Sequence, residues 1–200
     1  MIQKYNNINI GKNGEYFYLK DYMPKNKKTS LDKDAVKHSE YILKYKKGDP
    51  LIIAFFVKIL NNIIYNYFYF YDLILPVPPS NSYLDVYPNA IVCSYLSALG
   101  TINTLERAIA CYKGHKPGHI EDIESKKNDL MHISVINKYD FEYKNIIILD
   151  DIITTGTTFA HIKDALLRKG ANSVTGLFLG KTYSAYPAYG FRKEDINING

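Results

Sequence analysis

Two adjacent carboxylates and a hydroxyl-rich loop give this sequence its clearest chemical signal. Asp150 and Asp151 follow the apolar run 146–149, and the loop Thr154–Thr158, with the sequence TTGTT, comes shortly after them. The apolar run predicts a buried strand, and the carboxyl end of such a strand is where open α/β sheets bind their ligands. The loop offers four hydroxyls and a run of backbone N–H groups where a helix is predicted to begin. This combination favours the binding of an anion such as phosphate.

The carboxylates need a different ligand from the loop, because carboxylates do not bind phosphate. Vicinal ribose hydroxyls, or a magnesium ion near them, fit Asp150 and Asp151 best. Gly156 lets the backbone approach a phosphate closely, since it has no side chain in the way. An ordinary strand–turn–helix unit with acids at the strand end is the alternative interpretation. The phosphate loop G-x-x-x-x-G-K-[ST] is absent from the sequence, which disfavours a P-loop nucleotidase.

The thirteen residues 146–158, IIILDDIITTGTT, resemble the 5-phosphoribosyl-1-diphosphate (PRPP) signature of type I phosphoribosyltransferases. The resemblance implies that Asp150 and Asp151 bind the ribose 2′- and 3′-hydroxyls. It also implies that the 5′-phosphate is bound by Thr154, Thr155, Gly156, Thr157 and Thr158. The implied reaction is the displacement of diphosphate from C1 of PRPP by a nitrogen nucleophile, either a base or a small amine. Magnesium is the implied cofactor, bound through PRPP and near the two acids.

The polar stretch 113–131, KGHKPGHIEDIESKKNDLM, lacks clear periodicity. Loops of this length inside a compact domain are usually functional or disordered. In type I phosphoribosyltransferases the corresponding region is a mobile catalytic loop. The resemblance implies that Lys113, His115 and Lys116 bring donors to the diphosphate and exclude water. A solvated hairpin tip is the alternative. Pro117 and Gly118 disfavour a metal pair built from the flanking histidines.

Two further segments resemble the ComF-type branch of this superfamily. KYKKGDP, residues 44–50, resembles its Lys-Tyr-x-x-Gly-Asp segment, and LILPVPPS, residues 73–80, resembles its strand ending in Pro-Val-Pro. The resemblance implies a diphosphate loop made of Val77, Pro78, Pro79 and Ser80. Asn89 and Asn128 also stand where the branch carries asparagines.

The sequence departs from its relatives at several positions. The N-terminal cysteine zinc module of ComF-type proteins is absent, and Val86 and Ser125 stand where arginines are expected. Thr154 replaces the aspartate that hypoxanthine-type enzymes place next to the purine. There is also no N-terminal cysteine nucleophile of the kind that glutamine amidophosphoribosyltransferases use. The supply of positive charge for diphosphate is therefore thinner than in the relatives.

The acceptor site is the least defined part of the prediction. In the superfamily it lies under a variable hood, which here would comprise residues 7–20, with Asn13-Gly14 as a hairpin turn, and the tail 180–191. Both segments are rich in tyrosine, which suits stacking on a flat base. Lys181 and Tyr183 are the candidate acceptor residues. The alternative is that these tyrosines only pack and that Lys181 is an exposed residue at a strand end.

The order of predicted elements indicates the fold. Strands are predicted at 73–77, 107–112, 146–149 and 173–179, and helices at 51–67, 89–99 and 158–169, with Asp49 and Pro50 starting the first helix. This alternation predicts an α/β fold: a mainly parallel twisted sheet with helices on both faces, plus a small N-terminal β-hairpin. We expect residues 1–40 to form the hairpin and a linker, and residues 41–200 to form the core with a C-terminal hood segment.

Composition narrows the class of protein. The net charge of +5 comes from lysines spread along the chain, which is more typical of a solvated surface than of a nucleic-acid site. Leu51–Ile64 is apolar but interrupted by polar residues, so a buried helix is expected instead of a membrane span. The two cysteines make no disulfide framework. No secretory signal is recognisable, and a cytoplasmic location is predicted.

Two classes of function remain at this point. The first is a magnesium-dependent phosphoribosyltransferase whose partners are PRPP, a nitrogenous acceptor and the product diphosphate. The second is a non-catalytic PRPP- or nucleotide-binding protein, serving in regulation, DNA uptake or genome defence. The sequence leaves the oligomeric state open, with a homodimer as one alternative.

Overall fold

The computed structural model describes residues 8–11, 14–24, 33–79, 86–111 and 133–183. In chain order the elements are β1 Asn9–Ile10, β2 Tyr16–Tyr22, α1 Lys33–Lys46, α2 Pro50–Tyr67, β3 Leu73–Pro76, α3 Pro88–Ala98, β4 Asn103–Thr104, β5 Ile109–Cys111, β6 Ile133–Val135, β7 Asn145–Ile153, α4 Thr157–Arg168 and β8 Ser173–Thr182.

The main sheet has six strands in the order β1-β2-β8-β7-β3-β4. Every neighbouring pair is parallel except β1 and β2, which form the N-terminal hairpin. In the centre of the sheet Ile147 of β7 lies opposite Ile74 of β3 on one side and Thr175 of β8 on the other. The predicted fold class, a mainly parallel α/β sheet, is confirmed, and so is the predicted hairpin.

Helices cover both faces of this sheet. Alternate strand residues point to opposite sides, and apolar side chains on both sides pack against the helices. Ile147, Leu149 and Leu177 pack with α1, α2 and α3 in one hydrophobic core. Ile146, Ile148 and Phe178 pack on the other face with α4. The central strand β7 is therefore apolar on both sides, as expected for a buried parallel strand.

Helix α2 begins where the sequence predicts it. The Asp49 side chain accepts hydrogen bonds from the backbone N–H groups of Leu51 and Ile52, and Pro50 occupies the first helical turn. Among the described residues, this is the one helix long and apolar enough to cross a membrane. In this fold its residues Phe56 and Leu60 lie fully buried in the core under the sheet. Packing in the core therefore accounts for the length and the apolar composition of α2.

Helix α1 was not predicted from the sequence, because two of its buried positions are polar. His38 and Ser39 lie in the interior beside Ile42, so the apolar period is interrupted. Their polar atoms are satisfied there: Nε2 of His38 lies 2.6 Å from the carbonyl oxygen of Leu179, and the Ser39 hydroxyl donates to the Ala35 carbonyl. Burial lowers the pKa of His38 to about 4, so the imidazole is neutral at physiological pH.

Two strand predictions need correction. The predicted strand 107–112 is present as β5, but it pairs antiparallel with β6 in a separate two-stranded sheet. Ile109 and Val135 of this small sheet pack into the core that α4 covers, which fixes it beside the main sheet. Strand β7 does not end at Leu149, since its pairing with β8 continues to Ile153.

The part of residues 1–40 that follows the hairpin and was expected to be a linker also contributes to regular structure. β2 reaches Tyr22 and α1 begins at Lys33. The division of the chain at residues 40 and 41 stays a prediction.

Candidate functional site

A cleft of about 420 Å³ opens at the carboxyl ends of β3 and β7. Its lining combines the acid pair with residues from several other elements: Tyr45, Lys46, Val77, Pro78, Pro79, Tyr87, Pro88, Asn89, Ile133, Asp150, Asp151 and Thr158. The chain leaves β3 through α3 on one face of the sheet and leaves β7 through α4 on the other. The two connections diverge at this point, which is the position where open α/β sheets form ligand crevices.

Both carboxylates line the same cleft although they are consecutive residues of one strand. On a regular strand their side chains would point to opposite faces. Here Leu149 belongs to the core on the α1–α3 face, and Ile152, three residues later, packs against that same core. Strict alternation therefore does not hold across Asp150 and Asp151, and both can face one ligand.

Asp150 is fixed by a chain of hydrogen bonds that begins on α1. The Tyr45 hydroxyl donates to Oδ1 of Asn89 at 2.9 Å. Nδ2 of Asn89 in turn donates to the carbonyl of Val77 at 3.0 Å and to Oδ1 of Asp150 at 3.3 Å. The backbone N–H of Asp151 donates to the same carboxylate oxygen at 2.8 Å. Asn89 thus connects α1, the turn after β3 and the first acid.

Asp151 has a direct cationic partner from the last residue of α1. Nζ of Lys46 lies 3.2 Å from Oδ1 of Asp151, and the two side chains are 44% and 23% exposed. An ion pair with this exposure contributes little to stability, at most about 1 kcal/mol. Its interest is its location inside the cleft.

The acid pair has perturbed proton affinities. Burial, followed by repulsion from Asp151, raises the pKa of Asp150 to about 8, against the opposing effects of the Asp151 N–H, Lys46 and Asn89. Burial also raises the pKa of Asp151, although Lys46 opposes this. Each carboxylate destabilises the charged form of the other. In the free protein the pair therefore resists carrying two negative charges, and a ligand that donates hydrogen bonds or positive charge would relieve it.

The loop between β7 and α4 forms a second, smaller cleft of about 180 Å³. Gly156 has φ +78° and occupies the N-cap position of α4 without any side chain to cap the helix. The hydroxyls of Thr155 and Thr157 lie 2.9 Å apart, and that of Thr154 bonds Thr182 at 2.7 Å. Asp150 and Thr158 line this cleft as well as the larger one. The two clefts are therefore adjoining parts of one crevice.

The turn after β3 forms another part of the cleft lining. The N–H of Val77 donates to the Leu149 carbonyl at 2.9 Å, and the Val77 carbonyl accepts from Asn89. Pro78 and Pro79 follow in the lining. Ser80, the last residue of the predicted diphosphate loop, lies outside the described residues, as do Lys113, His115 and Lys116.

The two candidate acceptor residues lie at the end of β8. Nζ of Lys181 lies over the rings of Tyr16 and Tyr18, at 5.8 and 5.5 Å from their centroids. Tyr183 donates its N–H to the Tyr22 carbonyl, and its side chain is exposed. Within the described part of the chain neither residue lines the two clefts. Their contact with an acceptor stays a prediction.

The described tyrosines of the hairpin are packed against the sheet. Tyr16 makes edge contacts with Phe159 and Phe178, and Tyr18 packs against the same core. These two residues match the packing alternative that the sequence left open.

Tyr45 and Lys46 were not predicted as site residues, although both lie in the segment 44–50 that resembles the ComF-type branch. Asn89 was expected only from that resemblance. The last turn of helix α1 reaches the acid pair through Lys46. This helix was not predicted because its apolar period is interrupted, so the contact was not predicted either.

No cluster of three or more metal-binding side chains occurs among the described residues. The carboxylates are hard oxygen donors of the kind that magnesium prefers. Two such groups would fit a magnesium ion that takes most of its ligands from water or from a bound ligand, and they do not form a complete protein site.

No protein-family model matches the chain, and no curated protein matches its sequence. Several solved structures are similar at low identity. Phosphoribosylpyrophosphate synthetase from Mycobacterium smegmatis is 19% identical with a TM-score of 0.40, over 64% of this chain and 34% of that one. Glutamine PRPP amidotransferase from B. subtilis is 23% identical with a TM-score of 0.36, over 54% and 22%. Purine phosphoribosyltransferase from Pyrococcus horikoshii Ot3 is 17% identical with a TM-score of 0.40, over 68% and 90%.

This chain therefore spans well under two thirds of the first two proteins. At these identities and TM-scores the similarities do not assign the chain to a family.

Proposed function

We propose that the crevice binds PRPP and that the protein transfers the phosphoribosyl group to a nitrogen nucleophile. One observation carries the proposal: the acid pair and the Thr154–Thr158 loop line adjoining parts of a single crevice, with Asp150 and Thr158 common to both. A ribose 5-phosphate has vicinal hydroxyls at one side and an anion at the other. The site offers carboxylates for the first and hydroxyls with backbone N–H groups for the second.

In the proposed reaction the C1–N bond forms as the bond from C1 to the diphosphate oxygen breaks. The diphosphate leaves with the bonding electron pair, and the nitrogen nucleophile loses its proton to solvent. Positive charge develops on the ribose during this exchange. The Asp150–Asp151 pair stabilises that charge, and the loop fixes the 5′-phosphate, so that remote binding energy positions C1.

Magnesium belongs to the proposal as a cofactor bound through the substrate. When bound, it would neutralise charge on the diphosphate and assist its departure. Asp150 and Asp151 are the carboxylates among the described residues that line the cleft, and carboxylate oxygens are ligands that magnesium prefers. Their raised pKa values fit this interpretation, because the pair is most easily ionised when a cation or hydroxyl donors arrive.

The proposed relationship to ComF-type proteins has support from the cleft. The two segments that carry this resemblance contribute Tyr45 and Lys46 from one and Val77, Pro78 and Pro79 from the other, and all five line the cleft. The non-catalytic alternative predicts PRPP binding without diphosphate release.

The test is calorimetric titration of PRPP with and without Mg²⁺, using the wild type and the double variant Asp150→Asn/Asp151→Asn. We expect micromolar, magnesium-enhanced binding by the wild type. The double variant should lose at least about 100-fold in affinity, since it loses charged hydrogen bonds to two hydroxyls. Asp164→Asn, an exposed acid of α4 paired with Arg168, is the matched control and should bind normally.

Normal PRPP binding by the double variant would disprove the ribose assignment. A screen of bases and amines for diphosphate release then separates the two functions. Diphosphate release that requires an added acceptor establishes the transferase, and tight binding without release for every acceptor favours the non-catalytic alternative.

A further inference from the structure

The turn after β3, where diphosphate is expected to bind, offers few hydrogen-bond donors among the described residues. The turn after β3 was expected to bind diphosphate, but the N–H of Val77 already donates to the Leu149 carbonyl. Pro78 and Pro79 have no backbone N–H at all. The described part of this turn therefore shapes the cleft without supplying hydrogen bonds to an anion. A highly charged leaving group needs a cation from elsewhere.

Lys46 is the one cationic side chain among the described residues that line the cleft. It is the last residue of α1, and it lies within the same lining as the Val77–Pro79 turn and the acid pair. Its backbone position is well defined, because the preceding residue, Tyr45, is buried and bonded to Asn89. The side chain itself is almost half exposed. The backbone of Lys46 is thus held in place, and its ammonium group has room to reach other parts of the cleft.

In the free protein Lys46 pairs with the carboxylate of Asp151, which is one of the groups proposed to bind the ribose hydroxyls. Nζ lies 3.2 Å from Asp151, and Asp151 is proposed to accept hydrogen bonds from a ribose hydroxyl. Binding of the sugar would therefore compete with the ion pair. A partly exposed ion pair is weak. A lysine contact with phosphate oxygens is charge-assisted in the same way, but a diphosphate carries more negative charge than one carboxylate. This larger charge favours the exchange of partners once the ribose hydroxyls and the diphosphate are both present.

We propose that Lys46 binds the diphosphate of PRPP, giving up its ion pair with Asp151 as the ribose hydroxyls bind that carboxylate. This inference rests on the proposed function and adds the residue that recognises the leaving group. In the free protein the same lysine partly neutralises the acid pair. In the complex it stabilises the negative charge that develops on the departing diphosphate.

The experiment titrates three probes in the presence of Mg²⁺: PRPP, inorganic diphosphate and ribose 5-phosphate. The proteins are the wild type, Lys46→Gln, Lys46→Arg and Lys47→Gln. Lys47 is the next residue and is exposed outside the cleft lining, so it is a matched control for the loss of one positive charge. The midpoint of thermal unfolding of each variant is measured alongside.

We expect Lys46→Gln to weaken PRPP and diphosphate by about tenfold or more, as for the loss of one charge-assisted contact. Ribose 5-phosphate should bind as before or slightly better, because Asp151 has lost a competing partner. Lys46→Arg should retain diphosphate binding within a factor of about three, since its guanidinium also binds phosphate. Lys47→Gln should behave as the wild type.

These measurements distinguish failure of the Lys46 assignment from failure of the proposed function. If the wild type binds none of the probes, the proposed function fails and the inference fails with it. If the wild type binds PRPP and Lys46→Gln binds it equally well, only the assignment of Lys46 is wrong. An equal loss for ribose 5-phosphate and diphosphate would show that Lys46 acts through Asp151, and would also overturn the assignment.

Discussion

The Thr154–Thr158 loop and the acid pair line one crevice, but they are assembled in different ways. The loop consists of consecutive residues, and its shape depends on one glycine with positive φ at the start of α4. The acid pair depends on side chains that are distant in sequence, with Asn89 and Lys46 reaching it from α3 and α1. The loop is mostly exposed and uncharged, whereas the acid pair is shielded and its pKa values are raised.

This difference has a general consequence. A site formed by a continuous segment depends on local backbone conformation, so a change there acts on its own ligand and leaves the neighbouring site intact. A site formed by contacts between distant elements depends on the packing of the whole fold, so a change there alters stability, proton affinity and binding together. Three experiments test whether the two halves of the crevice differ in this way.

The largest effect is expected from Gly156→Val, which places a β-branched residue at φ +78°. Such a conformation is strained by about 1–3 kcal/mol, so the loop should leave its anion-binding shape. We expect the affinities for PRPP and ribose 5-phosphate to fall by about 100-fold. The affinity for inorganic diphosphate should not change. Calorimetry with the three probes measures all of these values.

Gly100→Val is the matched control, since Gly100 has φ +71° with no atoms near its absent side chain and follows α3. It should destabilise the protein by a similar amount and bind every probe normally. If Gly156→Val also weakened diphosphate binding, the two halves of the crevice would not be independent.

The second experiment replaces Asn89 by leucine. This variant leaves the Tyr45 hydroxyl and the Val77 carbonyl without their buried partner and removes a hydrogen bond from Asp150. We expect a loss of about 2–3 kcal/mol in the free energy of unfolding, because unsatisfied buried polar groups are costly. The affinity for PRPP should also fall, by about tenfold. Urea denaturation and calorimetry measure the two quantities.

Asn66→Leu is the control for this change, because Asn66 is exposed on α2 and bonds only within its helix. Surface changes of this kind alter stability by about 0.5 kcal/mol or less. If Asn89→Leu kept full stability and full affinity for PRPP, the acid pair would not depend on contacts between distant elements, and it would not differ from the Thr154–Thr158 loop in this way.

The third and smallest effect concerns pH and the raised pKa of Asp150. Between its ordinary value near 3.8 and about 8, the folded state keeps a proton that the unfolded state releases. Stability of the free protein should therefore fall as pH rises through this window. Asp150→Asn cannot lose a proton there, so its free energy of unfolding relative to that of the wild type should be larger at pH 8 than at pH 5.

Denaturation at both pH values checks this prediction, with Asp164→Asn as an exposed control. A constant difference between wild type and Asp150→Asn from pH 5 to pH 8 would contradict the raised pKa. Replacements of the loop threonines should leave the pH dependence unchanged.

The sequence predicted those parts of the fold that local patterns determine. Asp49 and Pro50 marked the start of α2 correctly, and the apolar run 146–149 marked the central strand. The position of the loop Thr154–Thr158 between a strand and a helix was predicted for the same reason, since its residues are consecutive, and its binding of phosphate stays a proposal. Each of these features depends on neighbours within a few positions.

Features that depend on distant contacts were not predictable. Helix α1 was missed because His38 and Ser39 occupy buried positions, and their hydrogen-bond partners include the Leu179 carbonyl on β8. The placement of β5 in a separate sheet depends on its partner β6, from which it is separated by residues 112–132. The contribution of Lys46 to the acid pair follows from α1, and could not be inferred before that helix was known.

The parallel pairing of β2 with β8 has a consequence for how the protein is made. Phe17 lies opposite Leu177 and Tyr18 opposite Phe178, so two neighbouring strands of the sheet are far apart in the sequence. Loop closure over so long a separation is slow and follows the formation of local structure. During synthesis β2 therefore has only β1 as a strand partner until β8 emerges, and the N-terminal hairpin joins the main sheet only after β3, β4 and β7 have been translated.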